Sequence, residues 1–143
     1  MPPAAPSAVR AAGLIVAVQG VVALVMAAVL VVRGIAGADQ RVVNGLGTAV
    51  WFVLVGAVVL AAGRALVLGK RWGRGLAVVT ELLLLPVAWY LAVGSHQPVF
   101  GIPVGLVALG ALVLLFSPAA VRWAAGGDQG GPASSASRGP DSR

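Results

Sequence analysis

AAGLIVAVQGVVALVMAAVLVV, residues 11–32, is the stretch that decides the fold, because Gln19 is the one polar side chain in its 22 residues. About 20 apolar residues in an α-helix cross the hydrocarbon core of a bilayer. Transmembrane strands are about 9–11 residues long and alternate apolar with polar side chains, which this stretch does not do. It therefore predicts a transmembrane helix.

A signal peptide is the alternative interpretation of this first run. Arg10 would then form the basic n-region, and the Ala36-Gly37-Ala38 sequence would resemble a cleavage site. The apolar region of a signal peptide is about 7–15 residues long, which is far shorter than this run. We therefore expect a retained span, preceded by a Pro/Ala-rich tail at residues 1–10 that contains too much proline to be helical before Arg10.

Three more apolar runs follow, at about residues 45–66, 75–94 and 99–117. Short polar connectors separate the runs: RGIAGADQRVVN (33–44), KRWGR (70–74) and GSHQP (94–98). The C-terminal segment, residues 124–143, is rich in Gly, Ser and Pro and is predicted to be disordered. The sequence thus predicts an all-α fold, a polytopic four-transmembrane-helix bundle in one membrane domain at residues 11–123.

The composition supports this fold class and narrows the chemistry. Hydrophobic residues make up 59% and charged residues 10% of the 143 residues, and the mean hydropathy is +1.00. Soluble domains carry about 25% charged residues. With no cysteine, one histidine and four acidic residues, the chain offers poor material for thiolate catalysis, a metal site or a carboxylate pair. We predict no catalytic residue, no cofactor, no metal and no enzymatic activity.

The net charge of +6 belongs to the flanks of the spans and not to a nucleic-acid site, because no basic helix face with interleaved aromatics is present. Lys and Arg near span ends favour the cytoplasmic side. With the N-terminus inside, only Arg33 and Arg41 lie outside, against eight inside: Arg10, Arg64, Lys70, Arg71, Arg74, Arg122, Arg138 and Arg143. This predicts a multi-pass protein of the plasma membrane with both termini cytoplasmic.

Aromatic side chains agree with this topology, since Trp and Tyr concentrate at the two membrane interfaces. The predicted outer interface carries Trp51, Phe52, Trp89, Tyr90 and Phe100. The predicted inner interface carries Trp72, Phe116 and Trp123.

Three polar residues within the spans, Glu81, Arg64 and Gln19, form the candidate intramembrane cluster. A rise of 1.5 Å per residue places them roughly 10, 9 and 13 Å from the cytoplasmic edge. An acidic side chain inside a bilayer costs at least ~2.5 kcal/mol and faces the bundle interior. We predict a salt bridge between Glu81 and Arg64 on adjacent helices, with Gln19 joining it by a hydrogen bond. The predicted interior stripe around Glu81 consists of small residues: Ala77, Ala88 and Ala92.

Three interpretations of this cluster remain open: a structural polar group that sets the register of the bundle, a carboxylate that exchanges protons or cations, and a deeper protonated glutamic acid with no partner. Pro86 frees the carbonyl of Leu82 beside Glu81, which is compatible with the first two. Gly101 and Gly105 form a GxxxG pair typical of helix packing, and His96 is predicted to be a solvated turn residue.

The segments KRWGRGLAVVTELLLLPVAWYL (70–91) and PVFGIPVGLVALGALVLLFSPAA (98–120) resemble small four-helix integral membrane proteins of actinobacteria. The shared elements are a basic R-W-x-R, V-V-T followed by Glu or Gln, L-L-P-V-x-W and a final L-L-x-S-P. The resemblance implies a membrane location and four spans, and it carries no assigned activity.

The sequence favours a non-enzymatic accessory or interaction subunit whose partners are the lipid bilayer and either a second copy of the chain or another membrane protein. The alternative is a small proton- or cation-coupled transporter or channel subunit that uses Glu81. Small multidrug-resistance transporters also have four helices, but their essential carboxylate lies in the first helix, where this chain has Gln19.

Overall fold

The structure, a computed structural model, describes residues 4–37 and 42–126. Within these residues the chain forms five α-helices and no strand: α1 (Ser7–Ile35), α2 (Val42–Val67), α3 (Trp72–Trp89), α4 (Pro98–Leu115) and α5 (Pro118–Ala125). A π-helical turn, Tyr90–Gly94, extends α3. The predicted all-α fold class is confirmed, and four of the helices are long and apolar enough to cross a membrane. Most of the predicted C-terminal tail lies outside the described residues.

Two helix ends differ from the prediction, and proline explains both. Helix α1 begins at Ser7, directly after Pro6, so the expected non-helical segment up to Arg10 is wrong. Proline is tolerated at or before the first turn of a helix, where its missing N–H has no partner to lose. Ser117 lies after the end of α4 and caps the start of α5. Its hydroxyl accepts a hydrogen bond from the Ala120 backbone N–H at 3.3 Å. The Ser-Pro pair thus begins a fifth helix that the sequence analysis missed.

Helices α1 and α2 pack closely through two glycines on each helix, Gly13 and Gly20 on α1 and Gly56 and Gly63 on α2, and each pair is separated by seven residues. At Gly13, Gly20 and Gly63 the backbone of the other helix lies directly opposite, whereas Gly56 lies against the side chains of Ala23 and Leu24. A seven-residue spacing returns to the same face of a helix. A Cβ atom at Gly63 would lie 2.7 Å from the Gly13 carbonyl oxygen, and one at Gly20 would lie 2.8 Å from Leu60 Cβ. We call these four residues the glycine seam.

The four long helices form a ring in which α1 contacts α2 and α4, and α3 contacts the same two neighbours. Helices α1 and α3 are therefore diagonal to one another across the bundle. The short α5 lies against α1 and α4. The largest apolar core lies where the start of α1 and the end of α2 meet α5: Ala5, Val9, Ala12, Val16, Val59, Ala62, Leu66, Ala77, Leu115, Ala120 and Trp123.

Most of the predicted interface aromatics are exposed on the helix surfaces, as a membrane belt requires. Trp123 is the exception, because α5 turns it into the core, where only 6% of its surface is accessible. The prediction that Trp123 anchors the chain at the inner interface is therefore wrong: this side chain closes one end of the bundle.

Candidate functional site: a buried carboxyl–amide pair

Glu81 lies in the third turn of α3 with none of its surface accessible. It is the one charged residue that is buried among the side chains the structure describes. The same face of α3 carries Ala77, one turn earlier, and Ala88, two turns later, and both are buried. Because neither side chain extends beyond a methyl group, neighbouring helices approach this face closely. The structure therefore places Glu81 on the alanine-lined interior face that the sequence indicated.

Gln19 on α1 is the hydrogen-bond partner of Glu81. Its Nε2 donates to Glu81 Oε2 at 3.2 Å, across 62 positions of sequence. Since α1 and α3 are diagonal in the ring, this bond crosses the centre of the bundle and joins two helices that make few other contacts. The glycine seam allows it, because Gly20, the residue after Gln19, packs directly against the backbone of α2.

The structure does not form the predicted salt bridge between Arg64 and Glu81. Arg64 is exposed, and neither carboxylate oxygen of Glu81 has it as a partner. The reason is the position of Arg64 around the helix. It lies two residues from the buried Ala62 and two from the buried Leu66, which is about 160° away from each at 3.6 residues per turn. Arg64 lies on the outward face of α2, and the stretch of α2 around it packs against Gly73 at the start of α3, eight residues before Glu81.

Two oxygen atoms of the carboxyl–amide pair have no hydrogen-bond partner: Glu81 Oε1 and Gln19 Oε1, both buried. Buried polar atoms are normally paired, so two unpaired atoms on adjacent groups require an explanation. Among the described residues, no group of three or more His, Cys, Asp or Glu side chains is placed to hold a metal ion. The pair is thus a single titratable group held by one neutral amide.

Arg74 has a structural role that the sequence analysis did not assign. Its guanidinium donates twice to the backbone carbonyl of Leu115, from Nε at 3.3 Å and from Nη2 at 3.2 Å, and lies 5.4 Å from the centre of the Phe116 ring. A cation at the last carbonyls of a helix compensates its partial negative charge. Arg74 therefore ties the start of α3 to the end of α4. The signal in the sequence is a basic residue at the start of one span and a helix end, Leu115-Phe116-Ser117, in the next.

The Gly101–Gly105 pair packs within the chain. A Cβ atom at Gly101 would lie 2.6 Å from the Ala88 carbonyl oxygen, so this glycine lets α4 contact α3 closely. Next to it, an open apolar groove runs between the C-terminal half of α3, with its π-helical turn, and the N-terminal half of α4. Its lining is mainly apolar: Leu85, Ala88, Trp89, Ala92, Val93, Gly101, Ile102, Gly105, Leu106 and Leu109.

The chain matches no protein-family model, no curated protein and no solved structure. The resemblance to actinobacterial four-helix membrane proteins therefore stays a prediction.

Proposed function

We propose that this protein is a non-enzymatic accessory or interaction subunit of the plasma membrane. The observation that carries the proposal is that the buried polar group is closed off from the exposed helix surfaces. Among the described residues, the one buried carboxyl, Glu81, is enclosed at the bundle centre with none of its surface accessible. The exposed faces of the four long helices are mainly apolar, with Arg10, Arg33 and Arg64 as their exposed cations. A protein of this kind acts by contact with other membrane helices.

The groove between α3 and α4 is the surface that best fits such a partner, and the occupant we propose is a transmembrane helix of another subunit. Ile102, Leu106 and Leu109 line one side of it at spacings of four and three residues, the spacing by which a helix face contacts another helix. Ala92 and Gly105 add small residues, which permit close helix approach in lipid. Packing of this kind needs no charged contact.

A photoreactive amino acid at Leu106, in the groove, should crosslink in native membranes to a protein and give a product of discrete mass. The same group at Leu54 is the matched control, because Leu54 lies on α2 outside the groove lining and is similarly exposed, 60% against 65% for Leu106. Leu54 should label lipid. A product of twice the chain mass would identify the partner as a second copy. Equal labelling from both positions, or lipid products alone, would contradict the proposal.

The orientation belongs to the same proposal: both termini and residues 70–74 face the cytoplasm, supported by eight Lys and Arg residues against two. The chain has no cysteine, so a single introduced cysteine is the one thiol of the chain that a reagent can label. A membrane-impermeant thiol reagent on intact cells should label Ser95→Cys, in the turn before α4, and spare Ser134→Cys, which lies outside the described residues. The opposite labelling pattern would reverse the orientation.

A second candidate function is a proton- or cation-coupled transporter that uses Glu81. The observation that favours it is the unpaired Glu81 Oε1 at the bundle centre, because an intramembrane carboxyl is a default ion-binding group. The purified protein in liposomes should then dissipate an imposed pH or cation gradient. The Glu81→Gln variant should not. Equal fluxes for both proteins would remove this candidate.

A further inference from the structure

The carboxyl–amide pair is incomplete as a set of hydrogen bonds. Gln19 Nε2 donates to Glu81 Oε2, while Glu81 Oε1 and Gln19 Oε1 are both buried acceptors without a donor. The carboxyl and the amide are planar groups, and each carries its second polar atom on the same carbon as its first. When one bond is closed between two such groups in a common plane, their second atoms face each other. A single hydrogen atom between the two oxygens would satisfy both.

The charge of the Glu81 carboxylate also requires a proton at this position. No cation on the described helices pairs with Glu81. On α1, α2 and α5 all four arginines are exposed: Arg10, Arg33, Arg64 and Arg122. Arg74, on α3 itself, is bound to the Leu115 carbonyl, and α4 has no charged residue between Pro98 and Leu115. A carboxylate buried in apolar surroundings without a cation becomes protonated instead of remaining charged.

We propose that Glu81 and Gln19 form a proton-binding site, in which Glu81 Oε1 holds one proton and donates it to Gln19 Oε1. Together with the observed Nε2–Oε2 bond, this closes a ring of two hydrogen bonds between α1 and α3. Binding adds H⁺ to the carboxylate and forms one O–H bond, and nothing else is consumed or released. The proposed proton-binding site does not depend on the proposed accessory role. It also does not depend on whether the chain transports ions.

A metal cation fits the site less well than a proton. Hard cations such as Ca²⁺ and Mg²⁺ take six or more oxygen ligands, and the pair offers two unpaired oxygens. Turning the Gln19 amide over does not remove the need for a proton. It would place Gln19 Oε1 against Glu81 Oε2, two acceptors that also require a hydrogen atom between them.

The test uses a property of the sequence: Glu81 is the sole glutamate in the chain. Glutamate labelled at its side-chain carboxyl carbon, incorporated without conversion to glutamine, therefore reports on one site in the full chain. Solid-state NMR of the protein in lipid bilayers should show a protonated carboxyl at neutral pH. That signal should move when H₂O is replaced by D₂O, a measurement that needs no variant.

Gln19→Leu should shift the labelled signal, because the acid then loses its amide partner. Gln97→Leu is the matched control, since Gln97 is exposed in the turn before α4, and it should leave the signal in place. A carboxylate signal at neutral pH would overturn the proposal. That signal is the result expected if water molecules, and not a proton, supplied the missing hydrogen-bond donors. A protonated signal unmoved by Gln19→Leu would also overturn it.

Discussion

Gly63→Leu should prevent stable association of α1 with α2, whereas Gly110→Leu should leave the bundle intact. Gly63 is in the glycine seam, where a Cβ atom alone would lie 2.7 Å from the Gly13 carbonyl oxygen. That contact is with backbone, so no side-chain rotation relieves it. Inserting extra methylenes into a packed core costs about 1–3 kcal/mol and occasionally more. Leucine adds four carbons, so we expect a loss above about 3 kcal/mol.

Gly110 is the matched control because it also lies in a long span, and a Cβ atom there would meet nothing within 4 Å. The measurement is thermal stability after mild detergent extraction, followed by size-exclusion chromatography. Gly63→Leu should aggregate or elute as an expanded species, and Gly63→Ala should show a smaller loss in the same direction. Wild-type elution and wild-type stability of Gly63→Leu would show that the two helices do not pack through the seam.

Glu81→Ala should be the most destabilising change in the polar pair, with a loss of roughly 2–4 kcal/mol. It empties a fully buried site and leaves Gln19 Nε2 without its acceptor. Glu81→Gln should be tolerated, because two amides can form the same ring of two hydrogen bonds without a titratable proton. The measurement is thermal stability of the purified protein in detergent at neutral pH.

A double-mutant cycle identifies the partner of Glu81. The Gln19→Ala and Glu81→Ala losses should couple by about 0.6 kcal/mol, the average for interhelical hydrogen bonds in membranes, and by at most about 1.7 kcal/mol. Arg64→Ala is the control, and its loss should add to that of Glu81→Ala within about 0.5 kcal/mol. Strong coupling to Arg64 and none to Gln19 would restore the salt bridge predicted from the sequence.

Several features of this protein follow from the sequence by itself, because they depend only on the length, hydropathy and residue spacing of a single helix. The four spans follow from the length and hydropathy of the apolar runs. The interior position of Glu81 follows from the cost of a charge in lipid and from the alanines that share its face. The separations along the axis between residues of the same helix are also readable, because each residue advances a helix by a fixed rise.

Only the tertiary structure decided which polar residues meet. The sequence predicts that Arg64 pairs with Glu81, but Arg64 lies on the outward face of α2 beside the start of α3, and Gln19 contacts Glu81 across the bundle instead. The rotation of each helix about its own axis depends on which faces pack together, and here the glycine seam sets that rotation for α1 and α2. Trp123 is buried for a similar reason, since the core that encloses it includes residues of other helices, such as Val9 on α1 and Leu66 on α2. The position of a residue along its own helix is a local property of that helix. The neighbour that the residue faces depends on a pair of helices and requires both helices in place.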